Sequence, residues 1–184
     1  MEDPSISGIL TDEELVVRAK EGDLRAMDEL VSRHHAMVFR VCLGILRDED
    51  AAADSSQDAF LKAFRALAGF RGEASFRTWL LTIAANEARG VLRKRSRRAE
   101  QELEAAGPVV SPASNPEESL EAGEDAARVR KLLERLPEKQ RLAVTLRIFD
   151  GLSFREVGEL IGSSEGAARV NYHHGIRRLR ELMG

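Results

Sequence analysis

Near the end of the chain, Arg169, Val170, His173 and Arg177 recur at the spacing that puts side chains on one face of a helix, with His174 at the edge of that face. Arg and His donate hydrogen bonds to acceptors on base edges, and valine methyls can meet a thymine methyl. The set therefore suits the reading of duplex DNA, and the alternative is a solvated helix face that binds nothing. A second set sits mid-chain, where Phe70 and Arg71 precede Gly72 and the cations Arg89 and Arg93 follow. An aromatic ring and a guanidinium stack on unpaired bases, and downstream cations hold phosphates. Here the alternative tucks Phe70 into the core and leaves the cations in water, and the residues alone favour it. A third set, Asp54, Gln57, Asp58, Leu61 and Lys62, forms a polar-edged stripe that could dock a protein partner or be an ordinary wet face.

No catalytic set is found. The four histidines come as the adjacent pairs His34-His35 and His173-His174, which point to different helix faces and do not chelate as i, i+4 pairs do. The sequence has no glycine-rich phosphate loop, nucleophile elbow or kinase signature. The single cysteine, Cys42, lies in the apolar run Val41-Cys42-Leu43 and reads as a buried structural thiol. We expect no enzyme activity, no metal and no cofactor.

The elements that must position these sets read as helices. Ala, Leu, Glu and Arg dominate, and β-branched runs are few. Thr11-Asp12-Glu13-Glu14 is a capping box opening a helix to about Lys20, and Asp23 can cap a long helix carrying Leu30, Val38, Val41 and Ile45 inward. A third helix covers about Ala51 to Leu67, with Phe60, Phe64 and Leu67 inward. Gly69 to Gly72 reads as a loop. Ser75 caps a helix with Phe76, Trp79, Leu80 and Ile83 on one face, which runs on as a cationic rod. Pro108, Pro112 and Pro116 mark a linker. Beyond it, one helix carries Val129, Leu132, Leu133 and Leu136, and the next uses Leu142, Leu146 and Phe149. Ser153-Phe154-Arg155-Glu156 is a second capping box, and Gly162 ends its helix. The final helix should bury Ala168, Tyr172, Ile176, Leu179 and Met183. A short helix, a turn with glycine and a longer basic helix make the helix-turn-helix layout.

Charge supports this division. The net charge of −3 hides segregation: six cations and no anion over 89–98, eight anions and no cation over 100–125, then twelve cations against seven anions from Arg128 onward. A basic stripe, an acidic strip and a basic domain suggest nucleic-acid surfaces separated by a tether. We therefore expect an all-α chain of two helical domains joined by a flexible linker: a tail over 1–10, a first domain over 11–99, an acidic linker over 100–125 and a helix-turn-helix domain over 126–184. No run approaches the ~18 apolar residues of a membrane span, and the N-terminus has no signal core, so a cytoplasmic protein with no membrane insertion is expected.

Three motif groups give the chain a family resemblance across nearly its whole length. They are Asp54-Ser55-Ser56-Gln57-Asp58-Ala59-Phe60-Leu61-Lys62-Ala63-Phe64, then Phe70-Arg71-Gly72 with Phe76-Arg77-Thr78-Trp79-Leu80 and Ile83-Ala84-Ala85-Asn86, then Leu136-Pro137-Glu138-Lys139-Gln140-Arg141, Asp150-Gly151-Leu152-Ser153-Phe154-Arg155-Glu156-Val157 and Ser164-Glu165-Gly166. In order and spacing they resemble the extracytoplasmic-function (ECF) sigma factors of the sigma-70 superfamily. The resemblance implies a sigma2-like bundle and a sigma4-like helix-turn-helix domain that direct transcription initiation. The helix of Asp54, Gln57, Asp58, Leu61 and Lys62 would dock on the clamp helices of the largest subunit of core RNA polymerase, with a further contact at the polymerase flap. Phe70, Arg71, Gly72 and Asn86 would capture a flipped base of the melted −10 element, with Arg89 and Arg93 on nearby phosphates. Arg169, Val170, His173, His174 and Arg177 would read the −35 element, and Ser153 and Arg155 would grip phosphate. Promoter DNA, core polymerase and an anti-sigma factor are the implied partners. The rival readings are a stand-alone helix-turn-helix regulator, which the long first domain argues against, and a helical adaptor, which the basic final helix argues against.

Overall fold

The computed structural model describes residues 10–106 and 124–183, and among them every regular element is helical. The proline-bearing part of the expected linker and almost all of the expected tail lie outside the described residues. In the first domain, α1 (Asp12–Lys20) is capped by Thr11, whose side chain accepts the Glu14 N–H while the Glu14 carboxylate accepts the Thr11 N–H. Asp23 caps α2 (Leu24–Leu46) through the N–H groups of Arg25 and Ala26. Asp48 caps α3 (Glu49–Ala66), which a 3-10 turn over Leu67–Gly69 closes. α4 (Phe76–Ala106) is capped at Ser75, whose hydroxyl accepts the Thr78 N–H. Each short polar residue satisfies N–H groups that the first helical turn leaves without partners.

α2, α3 and α4 pack around Leu30, Val38, Val41, Cys42, Ala59, Phe60, Leu80, Leu81 and Ala84. Small side chains at Ala52, Ser56, Ala59 and Ala63 let α3 approach closely. Ser55 and Ser56 are buried here; Ser56 returns its hydroxyl to the Ala52 carbonyl at 2.6 Å. Cys42 is buried as expected, and burial pushes its thiol up to about 11. α1 is pinned across this bundle by Asp12, which receives His34 Nε2 at 2.7 Å and Arg33 at 3.3 Å.

The second domain contains α5 (Glu124–Glu134), α6 (Glu138–Ile148), α7 (Phe154–Ile161) and α8 (Glu165–Met183). α6 is buried from Arg141 to Leu146 without a break, because the run Leu142-Ala143-Val144 leaves it little polar face. It lies between α8 on one side and α2 of the first domain on the other. Gly162 adopts φ 61° to end α7, a left-handed conformation that costs glycine little.

Four expectations need correction. α4 does not stop near residue 99 but stays helical to Ala106, into the stretch assigned to the linker. Phe149 is exposed, not inward, because α6 ends at Ile148 and the chain turns away there. Val129, expected on the inward stripe of α5, is also exposed. On α8 Met183 is exposed, and the buried stripe is centred on Ala168 and Gly175. A Cβ on Gly175 would lie 2.6 Å from Val144 Cγ2 and 3.2 Å from the Gln140 carbonyl oxygen, so α8 crosses α6 at a distance only glycine allows.

The two domains are in direct contact. α2 packs on α6, where a Cβ on Gly44 would stand 2.7 Å from Leu142 Cδ2. Arg141, 4% exposed, donates its Nε to the Gly44 carbonyl at 2.7 Å and a terminal N–H to the Leu136 carbonyl at 2.8 Å. Burial, with Arg47 nearby, pulls its guanidinium down to about 10. Arg40 of α2 grips the Asp150 carboxylate, whose side chain is wholly buried. α4 packs on α7 through Arg77 and Thr78, which donate to Glu156 Oε1 at 2.9 and 3.0 Å.

Candidate nucleic-acid interface

α8 presents its outer face as the spacing predicts. Arg169, Val170, His173, His174 and Arg177 are all exposed, opposite the buried Ala168 and Gly175. Arg169 is not adrift in solvent. Its guanidinium pairs with Glu165 at 2.9 Å and lies over the Phe154 ring, 5.2 Å from the centroid. Arg147 covers the same ring at 4.7 Å, and Tyr172 meets it edge-on at 5.6 Å. Phe154 thus ties the start of α7 to the reading face of α8. At that start, Ser153 is engaged by the capping box: its N–H and hydroxyl both donate to Glu156 Oε2 at 2.7 Å. Arg155 is exposed beside it. Burial works against the Glu156 carboxylate, but Ser153, Arg77 and Thr78 outweigh it and hold it down at about 2.

In the first domain, Arg71, Gly72 and the residues to Ser75 form an exposed loop. Gly72 has φ 73°, a left-handed turn within the stretch expected as a loop. Phe70 is half-buried, not free. Its ring lies 4.8 Å from Trp79 and 6.1 Å from Phe76, and its carbonyl accepts Lys20 Nζ at 2.6 Å. This ring therefore braces the loop, which leaves Arg71, with 82% of its side chain exposed, as the group that reaches outward. Asn86 is exposed on α4, one residue before Glu87, which pairs with Lys62 of α3.

The cationic rod is partly engaged. Arg89 donates to the Leu160 carbonyl at 3.0 Å and to Glu138 at 3.3 Å, and Arg95 meets Asp48 at 3.2 Å. Arg89 thus faces the second domain, while Arg93 and Lys94 sit on the outer surface. On α3, Asp54, Gln57, Asp58, Leu61 and Lys62 are all exposed on one side, opposite the buried Ala59 and Ala63. Leu61 is an exposed large apolar side chain in an otherwise polar stripe, the composition expected of a docking face.

The residues that sequence reasoning missed are those between the domains: Arg40, Gly44, Arg77, Thr78, Arg141, Asp150 and Glu156. One signal was available, since a helix with no polar side must be covered twice. No group of three or more His, Cys, Asp or Glu able to hold a metal occurs among the described residues. None of the described helices is long and apolar enough to cross a membrane.

Comparison with known proteins follows the same division. The family described as Sigma-70 region 2 matches residues 30–98, and Sigma-70, region 4 matches residues 126–179. The ECF RNA polymerase sigma-E factor of Escherichia coli K12 is 37% identical over 182 residues, covering 95% of this chain and 93% of the relative. The RNA polymerase sigma-H factor of Pseudomonas aeruginosa is 34% identical over 180 residues, covering 94% and 91%. Among solved structures, CnrH in complex with the cytosolic domain of CnrY matches with a TM-score of 0.67 at 27% identity, over 94% of this chain and 96% of that one. The sigma factor RpoE of Bartonella quintana, in complex with the anti-sigma factor NepR, shares the fold at a TM-score of 0.70 and 23% identity, over 85% and 95%.

Proposed function

The chain belongs to the sigma-70 family as an ECF RNA polymerase sigma factor, and from that premise we infer which of its surfaces does which part of transcription initiation. It binds core RNA polymerase and promoter DNA and is not itself an enzyme. The exposed stripe of α3 (Asp54, Gln57, Asp58, Leu61 and Lys62) docks on the clamp helices of the largest subunit. The Arg71–Gly72 loop, braced by Phe70, and Asn86 hold the unpaired −10 strand, with Arg93 on phosphate. Arg89 joins it there once it is released from Leu160. The outer face of α8 reads −35, with Arg155 against phosphate. Residues 11–99 and 126–184 act as the two working domains. Two of the similar structures are complexes with CnrY and with an anti-sigma factor, which supports control of this chain by an anti-sigma factor. Its work on polymerase belongs in the cytoplasm.

The observation that carries this reading is the joint exposure of three chemically distinct faces on α3, on α4 with its loop, and on α8, each backed by a buried apolar stripe. The test is transcription by core polymerase on templates randomised from −40 to −5, with the transcripts sequenced. Addition of the chain should enrich two separated motifs. Enrichment of a single palindromic motif, or none, would point to the stand-alone regulator instead.

A further inference from the structure

The proposed −10 loop hangs between two fixed posts. Ser75 is one: it caps α4, and its hydroxyl also meets Thr78 Oγ1 at 2.9 Å. Phe70 is the other, and it is held at three points. Its N–H donates to the Leu67 carbonyl at 3.0 Å. Its ring lies against Trp79 and Phe76. Its carbonyl accepts Lys20 Nζ, and the same ammonium stands over the Phe70 ring, 5.8 Å from the centroid. Between the posts, Arg71 to Ala74 are exposed, and Arg71 pairs with Glu73 inside the loop itself.

Two of the holds on Phe70 come from near neighbours in sequence. The third comes from 50 positions away. Lys20 is the last residue of α1, a helix that lies ahead of residues 30–98, the span that matches region 2. α1 is firmly seated. Leu15, Val16 and Ala19 are buried, Asp12 ties its start to His34 and Arg33, and Arg18 ties its end to Asp23 at 2.6 Å. The ammonium therefore leaves a fixed helix and ends on a fixed loop residue. Holding a lysine in one geometry costs side-chain freedom, and here an acceptor and a π face together offset that cost.

We propose that Lys20 is a positioning residue for −10 recognition: from α1 it fixes Phe70, and through Phe70 it sets the posture in which the 71–74 loop meets the unpaired strand. The inference rests on the reading of this loop as the −10 holder. A loop already held in its bound posture loses less conformational freedom when the strand arrives. The tie therefore acts on affinity for the melted strand and not on polymerase docking, whose stripe lies on α3. The rival use of an exposed lysine is to hold a phosphate directly. That use has a different signature, since each phosphate contact adds ~0.7 to the salt slope of single-strand binding.

Trp79 gives a direct readout, because it is the single tryptophan and packs against the Phe70 ring. Lys20→Met keeps the aliphatic stem and removes the donor and the charge at an exposed position. In the free full-length chain it should shift Trp79 emission to the red and raise its quenching by acrylamide, with unchanged circular dichroism. Lys20→Arg, which can donate to the same carbonyl, should restore both. In holoenzyme the probe is a fluorescent single strand carrying the −10 motif that the wild type selects. Lys20→Met should weaken its binding about two- to tenfold, the factor for one lost hydrogen bond, with salt slope and core affinity unchanged. Arg71→Ala and Asn86→Ala, the controls for the loop itself, should weaken the same strand. Wild-type Trp79 emission in Lys20→Met, or wild-type strand affinity, would overturn the proposal. So would a loss of strand binding with a salt slope lower by ~0.7, which would make Lys20 a phosphate contact. If the Arg71 and Asn86 variants bind the strand normally, the −10 assignment of the loop falls and the role of Lys20 falls with it. If they weaken it and Lys20→Met does not, the assignment stands and the role of Lys20 alone is lost.

Discussion

Arg169 and Arg177 leave the same helix face into different chemistry. Arg169 is held by Glu165 and the Phe154 ring, so its fork is oriented before DNA arrives. A bidentate pair from Arg to a base discriminates by ~1–3 kcal/mol. Arg169→Ala should therefore flatten the preference at one or two −35 positions in a binding-site selection, and an unchanged motif would redraw the reading face. Arg177→Ala should weaken binding to all sequences alike and lower the salt slope by about 1. Asn86→Ala should spare core binding but reduce permanganate-reactive thymines in the −10 region. Glu156 makes an acid-sensitive contribution. Its carboxylate sits at about 2 against an ordinary 4.5, so the folded state favours the ionised form. That contribution is complete above about 4.5 and is lost as pH falls towards 2. Glu156→Gln should lower the urea midpoint at pH 7 and narrow the gap between the pH 7 and pH 3 midpoints. An equal drop at both pH values would assign Glu156 a role independent of its charge.

Helix by helix, the cap and stripe signals carried far. Thr11, Asp23, Ser75 and Ser153 all cap where their sequence positions indicated, because capping is a local event between neighbours. The outward set on α8 was legible for the same reason: helical spacing sorts faces without reference to any partner. What spacing does not encode is how near two helices come. Gly175 stands between the apolar positions Tyr172 and Ile176 and drew no reading from the sequence, yet it is the crossing point with Val144. Gly175→Val should cost about 1–3 kcal/mol in denaturant unfolding, the range for overpacking a filled core, and should displace α8 from α6. For Phe70 both readings were open, and the residues alone favoured a tucked ring. The ring does turn in, on Phe76 and Trp79, six and nine residues downstream. On α3, Gln57→Ala with Asp58→Arg should weaken core binding without loss of helical signal. Unchanged affinity in a pull-down titration would remove α3 as the docking helix.

At the scale of the molecule, the individual contacts between domains could not be paired from the sequence, because they join residues about 50 to 110 positions apart and nothing local marks Arg40 for Asp150 or Arg77 for Glu156. Charge segregation was visible, and it foretold two basic units but not that they touch. One chain that reads two elements must match their phase as well as their separation. Inserting five base pairs between −35 and −10 turns one element about half a turn around the duplex, given about 10–10.5 base pairs per turn. Transcription directed by this chain should fall at least tenfold, and an unaffected yield would mean that one element is read alone. The 31-residue α4 adds a mechanical side to this. At about 1.5 Å per residue it is a stiff beam ~46 Å long, so tilting it by about 10° at the Ser75 end swings the Ala106 end by ~8 Å. The beam starts beside the proposed −10 loop and ends seven residues into the acidic stretch, and α7 bears on it near its fulcrum. A small pull at the far end thus works with long leverage against a short-armed hold at Arg77 and Thr78.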